Sequence, residues 1–169
     1  MIDIAFLADH PETIPTLAGW FRAQWPDYYA GRTSAEVAQD FYAEAQHNRL
    51  PVRLVAFADG APAGTICLRQ RATDDLPDYR PGLGGLYVIA QQRGRGIGTA
   101  LVAAGMDVAR VQGYATVYAM TVAAQGILER LGWTLVRTHS HNGEQHMLYG
   151  CDLAEHSGYW YKTPISADS

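Results

Sequence analysis

Three groups of residues could do chemistry. The first is Val88-Ile-Ala-Gln-Gln-Arg93-Gly94-Arg95-Gly96-Ile97-Gly98-Thr99, which places three glycines at alternate positions between an apolar run and an amphipathic one. Such a turn exposes backbone N–H groups at the positive end of a helix, a site for phosphate or pyrophosphate, and any Cβ there would hold the anion away. Arg93 and Arg95 are interleaved with those glycines. A dinucleotide fingerprint fails in both registers, because one starting at Gly94 needs glycine at Thr99 and one starting at Gly96 needs glycine or alanine at Leu101. The acidic residue expected further on to hold a ribose is also missing from Tyr118-Ala-Met-Thr-Val, so a dinucleotide-dependent oxidoreductase is set aside. The sole lysine, Lys162, follows Tyr161 and cannot complete a GKT or GKS phosphate loop.

The second group is His139, His141 and His146 with Glu144, gathered around Asn142-Gly143. Imidazole titrates where proton transfer near neutrality needs it. A two-residue turn sets His141 opposite Glu144, so a cross-strand pair, an acceptor or catalytic contact, and a metal site are the competing readings. No cysteine lies nearby, and no metal is expected. The third group is acidic and aromatic: Asp74, Asp75 and Asp78 in one polar stretch, and Asp27 beside Trp20, Trp25, Tyr28 and Tyr29. Carboxylates could gather a cationic ligand and aromatic rings could stack on it. Solvated loop acids and ordinary packing are the alternatives, and Trp25, Asp27, Tyr28, Asp74 and Asp75 are the substrate-binding candidates.

Periodicity supplies the elements that must position these groups. Residues 2–7 read as a strand, and Ile14, Leu17, Ala18 and Phe21 recur at helical spacing up to Trp25-Pro26. Thr33 and Ser34, with Glu36 in the first turn, cap a second helix through Val37, Phe41 and Ala45. Residues 52–58 and 63–68 form a hairpin around Asp59-Gly60-Ala61-Pro62, and residues 71–82 read as a loop. Then come a strand at 86–90, a helix at 94–112 and a strand at 116–121, a β-α-β unit whose two strands are parallel. A short helix at 125–131 stops at Gly132, and strands at 133–141 and 144–153 flank the Asn-Gly turn.

With 48% hydrophobic and 18% charged residues in a chain of 169, one core is affordable: residues 1–153 read as one domain and 154–169 as a tail. Thirteen basic against 17 acidic residues leave no broad cationic face for nucleic acid or an anionic membrane. No apolar run is long enough to span a bilayer and no basic segment precedes the first apolar stretch, so a cytoplasmic protein is expected. Cys67 and Cys151 have no zinc-type spacing and read as buried thiols. The apolar tail segment Gly158-Tyr-Trp-Tyr161 suits packing on the domain or on a second subunit of a homodimer.

Arg93-x-x-Gly96-x-Gly98, preceded by Leu86-Tyr87-Val88 and followed by an amphipathic helix, resembles the acetyl-CoA signature of the GNAT family of N-acetyltransferases. The resemblance covers residues 2–153, because the order of elements is also that family's. It implies an α/β (α+β) fold: a central mixed, mostly antiparallel sheet with a splayed pair of parallel strands and helices on both faces. It further implies acetyl-CoA as co-substrate, its pyrophosphate on the amides of Gly94, Arg95, Gly96, Ile97, Gly98 and Thr99. Its pantetheine arm would lie along Leu86, Tyr87 and Val88 like an added strand. The activity implied is acetyl transfer to a primary amine of a small molecule or peptide. Two positions depart from the pattern. Thr121 stands where many members carry Asn, with pantetheine bonding and simple strand termination both open. Leu128 stands where they carry the Tyr that protonates the departing thiolate, so the general acid is unassigned, and a non-catalytic CoA-binding sensor is the rival reading.

Overall fold

The structure is a computed structural model, and it describes residues 1–155. Seven strands run β1 (Ile2–Phe6), β2 (Val52–Ala58), β3 (Ala61–Arg69), β4 (Gly82–Val88), β5 (Thr116–Thr121), β6 (Thr134–His141) and β7 (Glu144–Asp152). They form one sheet in the order β1-β2-β3-β4-β5-β7-β6, antiparallel throughout except for the parallel pair β4–β5. The helices are α1 (Ile14–Gln24), α2 (Ser34–Ala43), α3 (Ile97–Val111) and α4 (Gln125–Arg130). No helix among the described residues is long and apolar enough to cross a membrane. The apolar tail segment at 158–161 lies outside the described residues.

Local chemistry accounts for most boundaries. Thr33 and Glu36 form a reciprocal capping box, Thr33 Oγ1 accepting from Glu36 N at 3.2 Å and Glu36 Oε2 from Thr33 N at 3.1 Å, so α2 begins where two orphan donors are satisfied. Asp59-Gly60 and Asn142-Gly143 both take positive φ at their two central residues, the turn whose twist matches paired strands. The first of these turns is shorter than the expected 59–62. Pro62 instead lies in β3 opposite Phe57, at an irregular register where a missing N–H is tolerated.

The sheet separates two apolar layers. Strand alternation sends Leu54, Ile66, Leu68, Leu83, Val117, Tyr149 and Cys151 to the side of α3 and α4, with Ile97, Leu101, Val108 and Leu128. On the other side Val55 packs under Ile14, Leu17, Phe21, Val37 and Phe41 of α1 and α2. Both cysteines are buried, as expected. Burial pushes the Cys67 thiol up to about 12, so it is neutral in the fold, and its contribution is complete below the ordinary thiol range of about 8.5 and lost as pH rises through about 12. Accordingly, Cys67 should resist a thiol reagent at pH 8 as long as the chain is folded. Stability should fall on the alkaline side in the parent more steeply than in Cys67→Ala, measured by urea unfolding across that range. Parallel curves would show that the thiol is not the group responsible.

Two boundaries flanking the glycine segment differ from the sequence reading in ways that bear on the site. The strand expected at 86–90 is Gly82–Val88, and Ala90–Gln92 form a turn of 3-10 helix. Pairing of Gly82 and Leu83 with Arg69 and Leu68 makes the glycine-rich stretch a strand despite its weak propensity. The helix expected from Gly94 begins at Ile97, with Gly96 as its N-cap.

Candidate active site: an opened strand pair over a glycine turn

β4 and β5 register only at Gly82 and Tyr118, where Tyr118 N–H donates to Pro81 O at 3.0 Å. Beyond that point the two strands separate. Ile89 N–H donates to Ala63 O on the β3 side at 2.9 Å, so by alternation the backbone groups of Leu86 and Val88 turn away from β3 towards the opening. Val88 O accepts from Arg93 Nε at 2.8 Å, and the Arg93 guanidinium lies 5.7 Å from the centre of the Tyr87 ring. Arg93 therefore buttresses the end of β4, a role its spacing did not reveal. The Val88 N–H stays on the edge of the opening.

The turn below has its glycines sorted into two kinds. Gly94 and Gly96 have φ of +78° and +82°, and a Cβ at either would meet nothing within 4 Å. Residues 94–96 are exposed. Their backbone is left-handed, open to solvent and leads into the first N–H groups of α3, Ile97 to Thr99, which have no intrahelical acceptors. Gly98 differs: a Cβ there would stand 3.1 Å from Ile127 Cδ1, so this position serves the contact between α3 and α4. The residues present fit a pyrophosphate at Gly94–Thr99 and an extended chain along Leu86–Val88.

The two departures have defined surroundings. Thr121 Oγ1 accepts from Ala124 N at 2.7 Å and Ala123 N at 3.2 Å, closing the turn that follows β5. Leu128 is 3% exposed and belongs to the core beneath α3. On the next residue of α4, Glu129 accepts from the Tyr149 hydroxyl at 2.6 Å, a bond that raises the phenol's pKa and commits its proton.

On the α1–α2 side, Tyr87 meets Trp20, Phe21 and Trp25 with ring centres 5.7, 6.1 and 6.2 Å away. Trp25 is 39% exposed and forms the outer wall of this cluster, whereas Tyr28 is 75% exposed, stacks on Tyr29 and stands apart from Tyr87. Asp27 is exposed beside them. Asp74 is 99% exposed, with Arg71 Nε at 3.9 Å, at the lip of a recess of about 390 Å³ that Glu44, Arg69 and Thr73 also line.

Asp75 behaves differently. His141 does stand opposite Glu144 in the ladder, yet its Nδ1 goes to Asp75 Oδ2 at 2.8 Å, and His139 Nε2 reaches the same oxygen at 3.3 Å. The expected His141–Glu144 side-chain pair is thus replaced, because the loop after β3 brings in a nearer carboxylate. Glu144 pairs instead with His146, at 3.4 Å. The His139 hydrogen bond holds the Asp75 carboxyl below its ordinary range against a smaller opposing effect of burial, and the charge of His141 adds to the lowering.

Beneath the opening lies a group that the sequence reading missed. Arg53, 1% exposed, places Nε and Nη2 at 3.1 and 2.8 Å from Glu44 Oε2 and Nη1 at 3.1 Å from Thr65 Oγ1 and 3.4 Å from Gly85 O. Its guanidinium stacks 5.1 and 4.9 Å from the centres of Phe21 and Phe41. Gly85, at φ +61°, bulges β4 just where it leaves β5, and a Cβ there would stand 2.6 Å from Arg69 Nη2. A single arginine inside the apolar strand Val52–Ala58, on the parity of Val55, was the available signal.

The sequence profile of the acetyltransferase (GNAT) family matches residues 17–133. The chain belongs to the GNAT acetyltransferase family. Among solved structures the fold is similar to an aminoglycoside 6'-N-acetyltransferase complexed with coenzyme A (17% identity, 89% of this chain and 97% of that one, TM-score 0.71). It is also similar to the Salmonella typhimurium protein yncA with its cofactor acetyl-CoA (18%, 93% and 96%, TM-score 0.66). A GNAT-family acetyltransferase from Streptococcus pneumoniae covers 90% of this chain and 99% of its own at 14% identity and TM-score 0.69. No curated protein matches the chain by sequence. The mixed sheet with one splayed parallel pair and helices on both faces is therefore the GNAT fold, as the resemblance implied.

Proposed function

We propose that this member of the family transfers an acetyl group from acetyl-CoA to a primary amine of a small molecule or peptide by direct attack in a ternary complex. The observation that carries the reading is the parallel pair that registers only at Gly82–Tyr118 and opens above the left-handed turn at Gly94 and Gly96. Bound acetyl-CoA supplies an activated acyl group with a good leaving thiolate. The amides of Gly94–Thr99 hold the pyrophosphate, and the β4 edge at Leu86–Val88 orients the extended arm. Val88 N–H is placed to stabilise negative charge growing on the acyl oxygen. The aromatic wall of Trp20, Trp25 and Tyr87 supports an approach of the amine from the α1–α2 side. With Leu128 buried and Tyr149 committed to Glu129, the rate rests on positioning rather than on a phenol at the family's usual place.

Acetyl-CoA at a hundred times its dissociation constant should add about 2.7 kcal/mol to stability. A panel of amines should then release free thiol in its presence. Melts that shift with NAD or ATP but not with acetyl-CoA would reject the assignment of the cleft. Binding without turnover of any amine would favour the CoA-binding sensor, the reading that buried Leu128 supports.

A further inference from the structure

We infer that Asp75, His139 and His141 form a divalent metal site of the zinc class, which fastens the loop between β3 and β4 to the β6–β7 hairpin. The ligand set follows from strand geometry. His139 and His141 are two residues apart on β6, hence on one face, and the Asn142-Gly143 turn fixes that face by setting His139 opposite His146 and His141 opposite Glu144. Since Val117, Tyr149 and Cys151 face α3, these imidazoles lie on the opposite side, the side of Tyr118, Leu148 and the α1–α2 layer. Asp75 arrives there from residues 70–81, a loop whose own strands, β3 and β4, lie on the other side of β5.

The distances suit a metal. Zinc bonds of about 2.0–2.1 Å in a tetrahedron put neighbouring donor atoms about 3.3 Å apart. Asp75 Oδ2 and His139 Nε2 stand at 3.3 Å, Asp75 Oδ2 and His141 Nδ1 at 2.8 Å, and all three donor atoms lie within 4.8 Å of one another. An ion fits after the Asp75–His141 side opens by about half an ångström and the two imidazole nitrogens draw together by at most about 1.5 Å, within reach of side-chain rotation at two exposed residues and one half-buried one. Two imidazoles and one carboxylate form a donor set of intermediate hardness, preferred by Zn²⁺ over Mg²⁺ or Ca²⁺, with water in the fourth position.

The loop has reason to need a fastener. Its main-chain bonds from Ala72 to Tyr79 O, Leu76 to Thr73 O and Tyr79 to Leu76 O are internal, so they shape it without attaching it. Its two ends are held by Gln70 Nε2 on Leu50 O at 3.3 Å and by Tyr118 N–H on Pro81 O at 3.0 Å, and between them attachment comes from Tyr79 on Tyr118, ring centres 5.3 Å apart, and from Asp75 on the two histidines. An ion at Asp75 would close this strap over the face of β5, β7 and β6 that carries Tyr118 and Leu148, beside the opened pair.

The test uses the untagged full chain stripped by a chelator, titrated with Zn²⁺ and followed by calorimetry and thermal melting. One equivalent should bind and raise the melting temperature, and Co²⁺ in its place should give the visible absorption of a four-coordinate ion. Asp75→Ala, His139→Ala and His141→Ala should each lose at least about tenfold in affinity, the lower end of what even an outer-shell partner contributes. His10→Ala, at the separate His10–Glu12 pair, should bind as the parent does. Amide exchange across residues 72–79 should slow with Zn²⁺ in the parent and not in His139→Ala. Absence of zinc uptake, equal uptake by the triple variant, or uptake without slower exchange in the loop would each overturn the inference. None of these readouts depends on acetyl-CoA.

Discussion

Gly96→Val is expected to weaken acetyl-CoA binding by at least about a hundredfold while leaving a cooperatively folding chain, because two charge-assisted hydrogen bonds at roughly 1.5–3 kcal/mol each would be lost. The residue caps α3 at φ +82°, and a Cβ there points into open space. For the protein alone that space makes the change tolerable, with a left-handed backbone costing about 1–2 kcal/mol. For an anion resting on the amides of Ile97 to Thr99 the same Cβ and its two methyls occupy the approach. Gly113→Val is the matched control: φ is +89°, a Cβ again meets nothing within 4 Å, and the position lies just past the other end of α3. It should show the same loss of stability with unchanged affinity. Gly98→Val should behave differently from both, forcing Ile127 aside at the contact between α3 and α4 as well as losing affinity. Isothermal titration with acetyl-CoA, alongside urea unfolding, separates the two effects. Equal affinities for Gly96→Val and Gly113→Val would place the pyrophosphate elsewhere.

How far the sequence could lead depended on whether a feature was local. The glycine turn was legible because its requirement, left-handed backbone ahead of a helix, is written at the residues that meet it. The same holds for the Thr33–Glu36 box and the Asn142-Gly143 turn, whose partners lie within three positions. Gly82–Gly85 was not legible as strand, since these glycines answer to approaching groups from other segments: a Cβ on Gly82 would meet the backbone of Arg71 and Ala72 at 2.3 Å. His141 shows the division within one residue. Its ladder partner Glu144 followed from turn length, whereas its side-chain partner Asp75 comes from a loop that only the tertiary fold brings near. In Leu128 the sequence identified a missing phenol, and the fold shows where its side chain goes instead, into the core beneath α3.

The second large effect is expected at the buried arginine. Glu44→Ala should cost about 3–5 kcal/mol, because it removes the carboxylate and leaves a guanidinium inside the fold with only neutral acceptors. Thr65 Oγ1 and Gly85 O would remain at 3.1 and 3.4 Å, and the rings of Phe21 and Phe41 would still flank the charge, so local order survives while the charge is uncompensated. Charge, rather than contact, is the cause, and the double variant exposes it. Arg53→Met with Glu44→Ala keeps an unbranched apolar chain between the rings and removes the unpaired cation, so the pair should lose less stability than Glu44→Ala alone. Thr65 tolerates that change because its hydroxyl already donates to Leu54 O at 2.7 Å. The bulge at Gly85 should respond in the opposite order, since only the arginine reaches its carbonyl: affinity for acetyl-CoA should fall more in the double variant than in Glu44→Ala. Urea midpoints and acetyl-CoA titrations on the three chains read the two orders independently. A Glu44→Ala loss below about 1 kcal/mol would mean that the pair is screened like a surface one and that Arg53 is held by packing alone.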